Sequence, residues 1–112
     1  MGSPAWQPFS ATVTSDGDRA IVALRGELDL SGVDRAREAI AQAESGPGGL
    51  LVLDLSELDF IDSTGLEVML RAARRAHDEG RRLIVRKPSR YVRRLLELTA
   101  IDQSLDIVED VV

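Results

Sequence analysis

The chain has 112 residues, of which 14 are basic and 19 acidic, giving a net charge of −5, with no cysteine and a single histidine, His77. That length supports one domain with its own core rather than two, and the lack of cysteine removes disulfides, structural zinc and every cysteine-nucleophile mechanism. The acid excess leaves no basic groove for direct nucleic-acid binding, and no apolar run approaches the ~18 residues of a membrane span, so a soluble, cytoplasmic protein is expected.

Residues 1–8 carry two prolines and a lone tryptophan, Trp6, and are read as a flexible leader before a domain spanning 9–112. Residues 9–14 and 20–24 have β-favouring composition and flank Asp16-Gly17-Asp18, which predicts a hairpin. Residues 26–30 lead to Ser31, expected as a helix N-cap with Asp34 as its capping-box partner. Val33, Ala36, Ile40 and Ala43 form one apolar stripe, and Gly46-Pro47-Gly48-Gly49 ends that helix.

The continuous apolar run of residues 50–55, broken only by Asp54, predicts a central strand covered on both faces. Residues 56–64 then read as an acidic loop, and helical spacing follows from Leu66, with Met69, Leu70, Ala73 and Ala76 or His77 facing the sheet. Gly80 closes this helix, residues 82–86 form a strand, and Pro88-Ser89 opens a helix with Val92, Leu95, Leu96 and Thr99 inward. Residues 105–108 complete the order ββαβαβα(β) as an edge strand. The expected fold is α/β, a single domain with a mixed sheet of four to five strands and helices mainly on one face.

The chemistry concentrates in residues 56–64, which hold the carboxylates of Glu57, Asp59 and Asp62 and the hydroxyls of Ser56, Ser63 and Thr64. Asp62 or Ser63 would serve as an ordinary N-cap, worth ~1 kcal/mol. Gly65 costs ~1 kcal/mol in helix propensity relative to alanine, and is expected to leave the backbone beside Ser63 open to a close partner. A serine-nucleophile enzyme would need a base, but His77 lies roughly 20 Å along the same helix at 1.5 Å per residue. No catalytic residue is therefore assigned, and no metal or cofactor. An aspartate-phosphorylated receiver domain would use Asp54 with Lys87-Pro88 downstream, but it requires acidic partners for a divalent ion at the end of the first strand. Neither residues 13–16 nor 24–26 supply adjacent carboxylates.

Gly26-Glu27-Leu28-Asp29, Asp54-Leu55-Ser56, Phe60-Ile61-Asp62-Ser63-Thr64-Gly65-Leu66 and residues 92–99 together resemble the STAS domain of bacterial anti-sigma factor antagonists. The resemblance covers about residues 9 to 110. It implies a phosphoprotein in which Ser63 is phosphorylated by an anti-sigma factor that is also a serine kinase, and restored by a serine phosphatase. It also implies a partner surface at Asp29, Asp62 and Thr64, with Gly65 and Glu67 beside it. Glu67 and Ala100 depart from the glycines common in that family. STAS domains also occur in anion transporters and stressosome scaffolds, which leaves a sensor-complex component as the alternative reading.

Overall fold

The computed structural model describes residues 8–46, 48–99 and 105–109; the expectations for residues 1–7, Pro47 and Ala100 lie outside them. Alternation in Arg19–Leu28 buries Val22, Leu24, Gly26 and Leu28 on one side, as a half-covered strand requires. This strand, β2, pairs antiparallel with β1 (Ser10–Asp16) across a turn in which Gly17 takes φ +66°. The remaining elements are α1 (Val33–Glu44), β3 (Leu50–Ile61), α2 (Ser63–Asp78), β4 (Arg82–Arg86), α3 (Arg90–Leu98) and β5 (Asp106–Val108). The five strands lie in sequence order, and every neighbouring pair after the first hairpin is parallel.

Strand order that always advances in one direction, joined by right-handed crossovers, puts the three helices on one face. Burial agrees: Val33, Ala36 and Ile40 of α1, Met69 and Ala72 of α2, and Val92 and Leu96 of α3 share one core with Leu51, Leu53, Leu55, Leu83 and Val85 of the sheet. The intervening Val52 and Ile84 are also buried but lie outside that cluster, on the other side of the sheet, as period-two alternation predicts.

Residues 56–61 are not a loop. β3 continues to Ile61 because two register shifts against β2, between Ala23 and Arg25 and between Gly26 and Glu27, admit extra residues into the longer strand. Its core-facing residues are accordingly Leu53, Leu55, Leu58 and Ile61, at spacings of two, three and three. Ser31 is also not the N-cap of α1. Asp29 caps a single 3₁₀ turn, Leu30–Gly32, by accepting from the Ser31 N–H at 3.0 Å and its hydroxyl at 2.6 Å, and α1 begins at Val33 without a side-chain cap. Asp34 instead accepts from Arg37 at 3.2 Å. On α2 the buried face is Gly65, Leu66, Val68, Met69, Ala72 and Ala76; Leu70 and Ala73 are half-buried and His77 is exposed. On α3, Leu95 is half-buried and Thr99 exposed.

Where β3 begins, the backbone of Gly48 lies against the β1–β2 turn, and an added Cβ would stand 2.2 Å from the Asp18 carbonyl oxygen. At Gly49 nothing lies within 4 Å of that position. Gly48→Ala is therefore expected to destabilise the protein by about 2 kcal/mol or more, because backbone must move, while Gly49→Ala stays within about 1 kcal/mol. Urea unfolding of the two variants checks this, and equal losses would contradict it.

Candidate functional site at the start of α2

The register Leu28↔Ile61 brings the ends of β2 and β3 side by side, so Asp29 and Asp62, one residue beyond each, emerge at the same end of the sheet. Asp62 is tied to that end by its own N–H, which donates to the Leu28 carbonyl at 3.1 Å. With extended backbone it is the N-cap of α2, and one carboxylate oxygen accepts from the Thr64 N–H at 3.0 Å, the Gly65 N–H at 3.1 Å and the Thr64 hydroxyl at 2.5 Å. Burial opposes ionisation of this carboxyl, but hydrogen bonds from the Thr64 hydroxyl and the backbone N–H groups of Gly65, Thr64 and Leu30 outweigh it and hold the pKa below the ordinary value.

Ser63, the first residue of α2, is exposed, and among the described residues nothing hydrogen-bonds its hydroxyl. The neighbouring Thr64 is half-buried, with its hydroxyl engaged by Asp62. Of the two adjacent hydroxyls, only that of Ser63 is therefore presented outward without an internal partner. Gly65 requires a correction: it does not open the backbone to a partner. It is buried, and an added Cβ would lie 2.7 Å from Ile61 Cγ1 and 2.9 Å from Leu28 Cδ2, so its lack of a side chain lets α2 approach the ends of β2 and β3.

Glu67 is exposed one turn further along, in an i,i+4 ion pair with Arg71 at 3.2 Å. Ser63, Thr64, Leu66, Glu67, Leu70 and Thr99 line a shallow groove of about 420 Å³. Leu70 and Thr99 were expected in the core; instead Leu70 gives this groove an apolar wall and the exposed Thr99 links it to the end of α3. Leu30, 74 % exposed on the turn capped by Asp29, is a further member of this end of the molecule that sequence spacing did not single out. An apolar residue inside Gly-Glu-Leu-Asp-Leu carries no signal of exposure until the 3₁₀ turn is known.

The competing chemistries find different surroundings. His77 is exposed in the last turn of α2, at the opposite end of the helix from Ser63. Asp54 accepts from Arg86 at 2.7 Å and from the Ser56 N–H at 3.0 Å. Burial works against its ionisation, and these bonds with the Arg86 charge more than compensate, lowering its pKa. Asp54 is thus held by a guanidinium from β4, and among the described residues no three acidic or imidazole groups converge as a metal site. No helix of the described residues is long and apolar enough to cross a membrane.

Residues 11–109 match the family described as "Mlab, STAS domain". The chain belongs to the STAS-domain family. Among its relatives, the anti-sigma-B factor antagonist of Listeria monocytogenes is 28 % identical over 92 residues, which are 82 % of this chain and 81 % of that protein. Among solved structures, an anti-sigma factor antagonist from Mycobacterium paratuberculosis superposes with a TM-score of 0.79 at 23 % identity, covering 93 % of this chain and 88 % of the other. The Bacillus cell fate determinant SpoIIAA in its phosphorylated form gives 0.68 at 22 % identity, covering 92 % and 93 %. Both share the STAS fold described above.

The cap predicts a pH-dependent contribution to the stability of this STAS domain. Asp62→Ala should cost about 1–2 kcal/mol near neutral pH, where the carboxylate is charged in folded and unfolded chains alike. Since the folded-state pKa lies below the ordinary carboxylate value, that contribution is lost as pH falls through the folded-state value, and the wild-type advantage shrinks there. Urea unfolding of both proteins across this range checks it; a difference independent of pH would contradict the charged cap.

Proposed function

We propose that this STAS domain is an anti-sigma factor antagonist. Unphosphorylated, it binds an anti-sigma factor that carries serine-kinase activity and so frees a sigma factor; phosphorylation of Ser63 ends the contact, and a serine phosphatase restores it. The observation that carries this reading is the exposed, internally unbonded Ser63 hydroxyl at the first position of α2, beside a Thr64 hydroxyl already engaged by Asp62. The name of the Listeria relative supports the partner class. Contacts with the partner are assigned to Asp29, Asp62, Thr64 and Glu67 around that hydroxyl, while Gly65 contributes by seating the helix. The protein itself catalyses nothing in this scheme and acts in the cytoplasm. The kinase moves the terminal phosphoryl group of ATP to the Ser63 oxygen, ADP departs, and the hydroxyl proton passes to a base on the kinase.

A phosphate adds ~1.5–2 negative charges. At Ser63 it would sit at the positive end of the α2 dipole, which favours an anion, yet close to Asp62 and Glu67. The domain can therefore keep its fold in both states while the outward surface gains negative charge and bulk.

Ser63→Ala removes only an exposed oxygen and should melt like the wild type, bind the anti-sigma factor and take up no label from ATP. Thr64→Ala should still be labelled. Label undiminished on Ser63→Ala, or displaced to Thr64, would identify a different acceptor.

A further inference from the structure

α3 is nine residues long and buries only Val92 and Leu96. Its outer side carries Tyr91, 47 % exposed, and Leu98, 70 % exposed; with Leu30 these are the large exposed hydrophobics of the described residues. Seven residues apart, Tyr91 and Leu98 lie two turns apart on one face, with Arg94 and the half-buried Leu95 between them. Arg90 and Arg94 are exposed like charges four residues apart, an arrangement that repels. Among the described residues neither has an ion-pair or hydrogen-bond partner, whereas Arg86 is paired with Asp54 and Arg93 with Glu109. In a chain of net charge −5, this face sets two unpaired arginines beside one exposed carboxylate, Glu97, so that it is net cationic and partly apolar.

That face is continuous with the surroundings of Ser63 at both ends of the helix. Thr99, the C-cap of α3, lines the groove with Ser63, Leu66 and Leu70. At the other end the Tyr91 ring stacks on Phe60, three residues before Ser63, with centroids 5.8 Å apart.

We infer that the outer face of α3, formed by Arg90, Tyr91, Arg94 and Leu98, is a second docking area for the anti-sigma factor, fitted by an acidic segment of that partner bearing apolar side chains. The inference rests on the proposed function and adds to it a surface that phosphorylation does not touch. Beside Ser63 stand the carboxylates of Asp62 and Glu67, the latter paired with Arg71, so a partner that covers both areas meets a more negative surface at one and a net positive one at the other. Such a two-signed surface fixes the orientation of docking, because a reversed approach sets like charges against each other.

The test uses the anti-sigma factor that co-purifies with the unmodified chain from its native cell. It is titrated by calorimetry against the wild type, Ser63→Ala, Arg90→Glu/Arg94→Glu and Leu98→Ser. The charge reversal is expected to weaken binding at least about tenfold relative to wild type and Leu98→Ser about fivefold. In phosphorylation assays the reversal should raise KM while leaving kcat within about twofold, the split expected when docking is lost and the reacting hydroxyl is untouched. Arg90→Gln/Arg94→Gln, a milder change at exposed positions, should move binding in the same direction with an unaltered melting temperature. If all these variants bind within about twofold of wild type while Ser63→Ala binds and escapes phosphorylation, the inference falls and the proposed function stands. If no kinase binds or labels the chain, both fall. A wild-type dimer that the reversal turns into a monomer would assign the face to self-association and overturn the inference.

Discussion

Asp62, at the end of β3, ties the end of β2 to the start of α2. Its N–H is bonded to the end of β2, its carboxylate bonds the first free N–H groups of α2, and the same oxygen takes the Thr64 hydroxyl. Those groups have no partner within the helix and would otherwise need water. The consequence is geometric as well as energetic. With the helix start fixed against Leu28 and Ile61 by the cap and by the missing side chain of Gly65, residue 63 is the first helical position and is exposed, while residue 65 is turned into the core. The position of the proposed phosphate acceptor thus follows from the capping bond and the close approach together, and neither depends on a partner being present.

The same seating explains how a charge could be added here without refolding the domain. The oxygen that would be modified is exposed and makes no internal hydrogen bond among the described residues, so nothing within the domain needs to be broken to esterify it. A phosphate there would gain from the helix dipole and be opposed by neighbouring carboxylates, effects of ~0.3–1 kcal/mol each at exposed sites. These partly cancel. A partner surface matched to a neutral hydroxyl is in a different position, since leaving an unpaired charge in a desolvated contact costs ~2–5 kcal/mol. The asymmetry between a nearly indifferent domain and an intolerant interface is what would make Ser63 a switch for binding rather than for folding.

Element order was legible because each segment carries its own period: alternation in β2, a continuous apolar run in the first half of β3, and three-to-four spacing in the helices. The second half of β3 was not. Two bulges insert residues against β2, so Leu55, Leu58 and Ile61 face the core at spacings no strand template contains, and the intervening Ser56, Glu57 and Asp59 resemble a loop. At the site, the Asp-Ser-Thr-Gly order located the helix start and the candidate hydroxyl, but not the direction in which Gly65 faces. A glycine favours open backbone and close packing equally well, and only the contacts with Leu28 and Ile61 decide between them. Asp29 as a cap escaped for a related reason: it caps a 3₁₀ turn that intervenes before α1, where spacing alone made Ser31 the natural choice. The outward stripe of α3 was hidden because a nine-residue helix with only two buried positions offers too few turns to separate its faces by periodicity.

The most direct test of the switch compares unmodified and Ser63-phosphorylated protein by calorimetry against the same anti-sigma factor at low and at high salt. Release of nearly all partner near its dissociation constant needs a weakening of ~100-fold, about 2.7 kcal/mol, which one unmatched dianion inside the contact can supply. If Ser63 lies within the contact, phosphorylation weakens binding at least about tenfold even at ~1 M salt, where the screening length has shrunk to ~3 Å. A difference that disappears as salt rises would contradict this, leaving Ser63 outside the contact and acting only through the field of its acidic neighbours.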